Sequence, residues 1–274
     1  MSLVLGVLVG LVLGLTGAGG SILAVPALMF GLGWSLTQAA PVALIAVCVA
    51  AGFGTVVAWD VSYVRYRAAL LMAAAGLLTA PLGLIAASAL PRTLLSFVFS
   101  AVLVAVALRM MLQARRHPEE TGIVRADVHG DGAPAPGPIC GLIATTGRLN
   151  WTRRCAMMIS AIGGATGFLS GLLGVGGGFV IVPSLRTTTA LSMHSAVATS
   201  LMAIALTSAG TVLMALTTGV TMPWAVALPF ALGSLAGMAA GRRLAPRIAG
   251  PVLQQGFAVL MMLTAATLIL RSLS

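Results

Sequence analysis

The chain has 274 residues, 59% of them hydrophobic and only 7% charged, with a mean hydropathy of +1.08. No soluble domain can hide that much apolar surface, so the composition excludes one and points to an all-α polytopic membrane protein. The net charge of +10 comes from fifteen arginines and no lysine; in so apolar a chain it reports orientation, because arginine collects in cytoplasmic loops, rather than nucleic-acid binding.

The first two apolar segments, 3–15 and 20–32, are short. A helix rises 1.5 Å per residue and needs about 20 residues to cross a bilayer, so neither crosses alone. Between them lies a glycine cluster, Gly14-Leu15-Thr16-Gly17-Ala18-Gly19-Gly20-Ser21, followed by Val25-Pro26-Ala27-Leu28. Residues 1–13 lack a basic leader, and the glycine stretch after them recurs later, so this start reads as fold and not as a signal peptide. Residues 38–58, 67–90 and 93–112 are long enough to span; the second carries Gly76, Pro81 and Gly83, which imply a kink or close packing. Residues 113–154 change character. They hold half of the charged residues and Pro134, Pro136 and Pro138, and read as a water-exposed linker.

After the linker the pattern begins again. Segments 155–171 and 176–185 repeat the short interrupted pair around Gly171-Leu172-Leu173-Gly174-Val175-Gly176-Gly177-Gly178, again closed by Val-Pro-x-Leu at Val182 to Leu185. Segments 194–216, 223–240 and 251–270 are three further spans. Shorter matches continue the repeat: Gln38-Ala39-Ala40 with His194-Ser195-Ala196, and Gly54-Thr55-Val56 with Gly210-Thr211-Val212. The expected organisation is a first repeat over 1–112, a linker over 113–154 and a second repeat over 155–274. Each repeat has a re-entrant interrupted pair (3–32 and 155–185) plus three transmembrane helices.

Arginine placement chooses the topology. If each interrupted pair returns to its own side, each half crosses three times and the halves are inverted repeats. Thirteen of the fifteen arginines then share one face, and only Arg92 and Arg271 take the other. If each pair crosses as one broken helix, the division is ten against five, with Arg92, Arg186, Arg242, Arg243 and Arg247 on the minority side. The positive-inside rule favours the hairpins, with the linker cytoplasmic and both termini periplasmic in a bacterial inner membrane.

The ionisable inventory narrows the chemistry. The five acids are Asp60, at a span end, and Glu119, Glu120, Asp127 and Asp131, in the linker. Cation carriers and proton pumps place carboxylates inside their spans; here there are none, which argues against a cationic substrate. His117, His129 and His194 lack ligand or triad spacing, so no metal, cofactor or catalytic site is expected, nor is an enzyme. Hydroxyls and free amides remain, and both suit an anion. Matched helix breaks in two halves are the sequence pointer to a transporter site, with helix starts near Gly19 and Gly176 presenting amides. The candidate substrate-binding residues are Thr16, Gly17, Gly19, Gly20 and Ser21 from the first cluster and Gly174, Gly176, Gly177 and Gly178 from the second. Thr199 and Ser200 add hydroxyls, with Ala43-Leu44 as their first-half counterparts. Tight packing through small residues is the competing reading of the glycines, and bonding to the backbone carbonyl four residues back is that of the hydroxyls. Cys48, Cys140 and Cys155 have no metal or redox spacing.

The motif Gly-x-Gly-Gly-x-x-x-x-Val-Pro-x-Leu, present at Gly17 and again at Gly174, together with Ala-x-x-Thr-Ser-Leu over 196–201, resembles the sulfite exporter TauE/SafE family of membrane permeases. The resemblance covers nearly the whole chain outside the linker; the first half departs from it with Pro41-Val42-Ala43-Leu44 where a Thr-Ser pair is expected. It implies a transporter of sulfite, organosulfonates or related small anions, often outward. The partners are then a small anionic substrate and the lipid bilayer, with a homodimer as a further state. A passive anion channel or a carboxylate permease is the nearest alternative, and a structural subunit of a membrane complex a more distant one.

Overall fold

The computed structural model describes residues 1–59, 64–116, 140, 151–189, 191, 193–217, 222–244 and 250–273. Ten α-helices follow in order: α1 Ser2–Thr16, α2 Ala24–Leu32, α3 Leu36–Trp59, α4 Tyr66–Ala89, α5 Arg92–Arg116, α6 Arg153–Leu173, α7 Gly178–Thr188, α8 Met193–Thr217, α9 Trp224–Leu244 and α10 Gly250–Leu273. A 3-10 helix, Gly17–Leu23, joins α1 to α2. Among the described residues, five helices are long and apolar enough to cross a membrane: Leu36–Ala58, Tyr66–Ala89, Arg153–Leu173, Ser195–Thr217 and Trp224–Leu244. Their outer faces are apolar too. Leu78, Ile85, Leu213, Leu232 and Leu263 are each more than half exposed, as lipid-facing side chains are. The protein is an all-α polytopic membrane protein.

Helix α6 departs from the sequence reading, which took 155–171 as too short to cross. It gains residues at both ends. Thr152 caps it, its hydroxyl accepting the Cys155 N–H at 3.2 Å, and Gly174 closes it in the left-handed conformation.

Both short pairs fold back on themselves. Gly20 lies against the backbone of Leu13, and Gly31 against the side chain of Leu5, so α2 returns along α1. Gly177 lies against Thr166, and the far end of α7 meets the start of α6: the Cys140 N–H donates to the Thr188 carbonyl at 3.0 Å, and Cys140 is disulfide-bonded to Cys155. The amino end of α7 therefore sits part-way along α6, not at its tip.

Glycine sets the helix contacts. On α1, Gly6, Gly10 and Gly14 face the backbones of Phe230, Ser234 and Met238 on α9 so closely that a β-carbon would collide. On α6, Gly163, Gly167 and Gly171 do the same against Met72, Gly76 and Ala80 on α4. Numbers rise together in both pairs, so α1 runs parallel to α9 and α6 parallel to α4. Without a hydrophobic force between helices in lipid, such close approach supplies the dispersion contacts that hold them. Gly76 and Gly83 on α4 are accordingly packing positions: Gly83 abuts the Phe168 carbonyl.

The centre is α3 crossing α8. Ala43, Ala46, Val47 and Ala50 on α3, and Leu201, Ala203 and Ile204 on α8, are all fully buried or nearly so. The Cys48 thiol reaches the Ala205 carbonyl at 3.5 Å, and Gly54 faces Leu201, so the two helices run in opposite directions. Helix α9 runs along α3, with Ser234 Oγ donating to the Ala46 carbonyl at 3.1 Å and Arg242 Nη1 to the Gly54 carbonyl at 2.7 Å. Helix α5 packs chiefly on α10.

Candidate functional site

The first glycine cluster is held at both ends. Thr16 Oγ1 donates to the Val12 carbonyl at 2.8 Å, the bond four residues back that hydroxyls in helices commonly make. Gly17 then takes a φ of 73°, and a β-carbon there would sit 2.5 Å from Val197 on α8. Gly19, Gly20 and Ser21 belong to the 3-10 helix, which packs on α7 and α8. Ser21 is fully buried, and its carbonyl accepts the Ala24 N–H. The first α-helical start is thus Ala24, several residues beyond the start near Gly19 read from the sequence. The tighter 3-10 winding takes the intervening residues.

The second cluster is different in kind. Gly174, Gly176 and Gly177 take φ values of 69°, 71° and 64°, a left-handed run that only glycine adopts without strain. The Gly174 N–H donates to the Ser170 carbonyl at 2.9 Å, and Gly178 is the first residue of α7. The α-helical start lies two residues past Gly176, so here the amino terminus of an α-helix emerges directly from the glycines. That end presents amides and a partial positive charge. A β-carbon at Gly176 would lie 3.0 Å from Val47, 3.1 Å from Ser208 Oγ and 3.5 Å from Ile204, which puts the turn at the middle of both α3 and α8. Gly174 abuts Ala40.

The structure thus brings both glycine turns against the α3–α8 pair. Thr199 and Ser200 lie near the first turn, two and three residues past Val197. Both are fully buried. Thr199 Oγ1 accepts the Arg65 backbone N–H at 3.0 Å, while Ser200 Oγ donates to the Val197 carbonyl at 2.7 Å. The hydrogen of Ser200 is therefore committed locally. The matched approaches of Gly17 to Val197 and Gly174 to Ala40 also shift the correspondence between halves by one residue. Thr199 and Ser200 answer to Val42 and Ala43, not to Ala43 and Leu44, and the first half still lacks the hydroxyls.

Three features escaped the sequence. Ser170 and Ser208 flank the second turn; Ser208 is among the span hydroxyls visible in the sequence, but serines in apolar helices carry no mark that separates a site from a packing residue. Arg242 counts as a topology signal in the sequence; in the structure it is half-buried and bonded to α3. Cys140 and Cys155 are joined across 15 residues of sequence, a spacing with no motif. Asp60 and the linker acids lie outside the described residues. Among the described residues no group of His, Cys, Asp or Glu could hold a metal. An apolar groove of about 320 Å³ opens between α3 and α8 beside Val49, Leu213 and Trp224; its lining suits an acyl chain and not an anion.

The family described as Sulfite exporter TauE/SafE matches residues 2–268. The chain belongs to the TauE/SafE family. It is also similar to a probable membrane transporter protein of Xylella fastidiosa strain Temecula1, 30% identical over 97% of this chain and 93% of that protein. The corresponding protein of Xylella fastidiosa strain 9a5c is 29% identical over the same shares. No solved structure matches. The TauE/SafE assignment makes the chain a membrane transporter and not an enzyme, and it spans both halves, so both glycine turns lie within the family's own architecture.

Proposed function

We propose that the chain carries a small sulfur-containing oxyanion, sulfite or an organosulfonate, outward across the bacterial inner membrane. The observation that carries this reading is the meeting of both glycine turns with the α3–α8 crossing. The ten helices contain no acidic residue that would repel an anion there. An anion leaving water must replace its shell with donors, because unpaired polar groups in hydrocarbon cost several kcal/mol. Amides at the amino end of α7, past the Gly174 N–H that Ser170 holds, supply them without loss of side-chain entropy, whereas those of Gly19 to Ser21 are taken up by the 3-10 winding; Thr199 keeps its hydroxyl hydrogen to donate. Carrier motion needs a scaffold that can present this site to either side. The antiparallel α3 and α8, and the reciprocal pairs α1–α9 and α6–α4, support two inverted repeats over 1–112 and 155–274 rocking about it. The sulfur-anion reading rests on the family.

The test is uptake into proteoliposomes of purified protein against sulfite, thiosulfate, sulfate, sulfoacetate and simple carboxylates. Uptake of a sulfur oxyanion in preference to carboxylates is expected; uptake of carboxylates alone would refute the substrate class. A passive channel is the second reading, favoured by the lack of any acidic coupling-ion ligand in the helices. Counterflow separates the two, because internal substrate accelerates tracer entry through a carrier and not through a pore.

A further inference from the structure

We infer that Ser170 and Ser208, on either side of the second glycine turn, are further side-chain donors of the anion site. The inference rests on the anion reading above. Hydroxyls in apolar helices normally return to their own backbone, since a buried donor left unpaired costs about 1–3 kcal/mol. This chain follows that habit: Thr55, Thr79, Thr207, Thr211, Ser200 and Ser234 all donate to carbonyls three or four residues back. Ser170 and Ser208 do not. Both are fully buried and neither hydroxyl has a partner.

Their positions give the two orphans a common use. Ser208 Oγ lies 3.1 Å from where a β-carbon on Gly176 would stand, so the hydroxyl sits directly against the backbone of the turn, as close as a glycine allows. Ser170 is one helical turn past Thr166, on the face of α6 that Gly177 abuts, and its own carbonyl anchors the Gly174 N–H. Two hydroxyls from α6 and α8 thus flank the amino end of α7, whose first amides form the third side. That donor set fits a small oxyanion. At the separation that relates Gly17 to Gly174, the first half has Leu13 and Ala51 in these places. It also has a 3-10 helix where the second half has an α-helical start. These two donors therefore belong to the second turn only, and Thr199 is the hydroxyl beside the first.

The experiment compares the parent with Ser170→Ala, Ser208→Ala and the double variant in proteoliposomes. It measures KM and Vmax for whichever panel anion the parent carries best, and the thermal stabilisation that this anion gives the purified protein. Ser100→Ala is the control, since Ser100 is also a buried hydroxyl without a partner but lies on α5, packed on α10. Each charge-assisted bond lost should raise KM about ten- to a hundredfold. The double variant should also lose anion-induced stabilisation, while Ser100→Ala keeps both parent values. A double variant with the parent's KM and the parent's stabilisation overturns the assignment, even if it melts lower without anion. If the parent itself neither carries nor is stabilised by any anion of the panel, the anion reading falls and takes this one with it. That failure shows in the parent, before any variant is compared.

Discussion

At the scale of single residues, glycines hold the helices together and hydroxyls do less. Gly167 on α6 meets the Gly76 backbone with no room for a β-carbon, whereas Thr79 joins the same two helices through a 2.6 Å bond to the Gly164 carbonyl. Overpacking a close contact costs about 1–3 kcal/mol, and interhelical hydrogen bonds in membranes average about 0.6 kcal/mol. Gly167→Val should therefore lower the melting midpoint of detergent-purified protein more than Thr79→Ala; the reverse order would assign the α4–α6 contact to the hydroxyl. Thr199 and Ser200 make a second residue-scale case. Ser200 has spent its hydrogen on Val197, and Thr199 holds the Arg65 N–H. If Thr199 donates to the anion, Thr199→Ala should weaken affinity about tenfold or more, and adding Ser200→Ala should change little further. A double variant that binds and carries every anion as the parent does would make both hydroxyls supports of α8.

At the scale of elements, the second hairpin is where conformation and position coincide. Gly177 and Gly33 have almost the same backbone, with φ values of 64° and 70°, yet different surroundings. A β-carbon at Gly177 meets the Thr166 carbonyl at 2.7 Å, and one at Gly33 meets nothing within 4 Å. Either change to alanine forces a left-handed residue at about 1–2 kcal/mol. Only Gly177→Ala should also abolish transport, because only that turn carries α7 to the middle of the bundle. The measurement is uptake normalised to the amount of folded protein in the membrane. Equal loss in both variants would trace the defect to strain alone. The hairpin is also tied at its open end, where Cys140 bonds Cys155 at the start of α6 and pairs with Thr188 and Thr189 at the end of α7.

At the scale of the whole molecule, helix directions collect arginine at one end. The start of α4, at Arg65, meets the first turns of α8 at Thr199, and α9 runs along α3 so that Arg242, bonded to the Gly54 carbonyl, and Arg243 finish near the end of α3. Helix α6 runs with α4, so their starts, which carry Arg153, Arg154 and Arg67, lie at the same end, and the disulfide ties the end of α7 to the start of α6. We propose, from the positive-inside rule, that this end is cytoplasmic. The disulfide opposes that orientation, since such bonds persist in oxidising compartments. Thirteen arginines against two is the heavier signal, so alkylation of intact growing cells should find Cys140 and Cys155 as thiols that close only on oxidation. In a cysteine-free background, external labelling should reach a cysteine added after Ser274 and miss one at Asp131, both outside the described residues. A disulfide trapped in intact cells, with external labelling at Asp131, would turn the molecule over.

The class, the repeated motif and the two glycine breaks are all legible in the amino-acid order. Apolar length, arginine asymmetry and a repeated Gly-x-Gly-Gly are local or additive properties, and they survive without knowledge of contacts. Only the tertiary structure decided which break starts an α-helix. The same glycine pattern gives a 3-10 helix in one half and a left-handed turn into α7 in the other, according to what packs against it. It alone separated Ser200, bonded to its own helix, from Ser208, left without a partner beside Gly176. Both are serines in one apolar helix, and a hydroxyl's partner depends on the neighbour across the interface, which sequence periodicity does not encode.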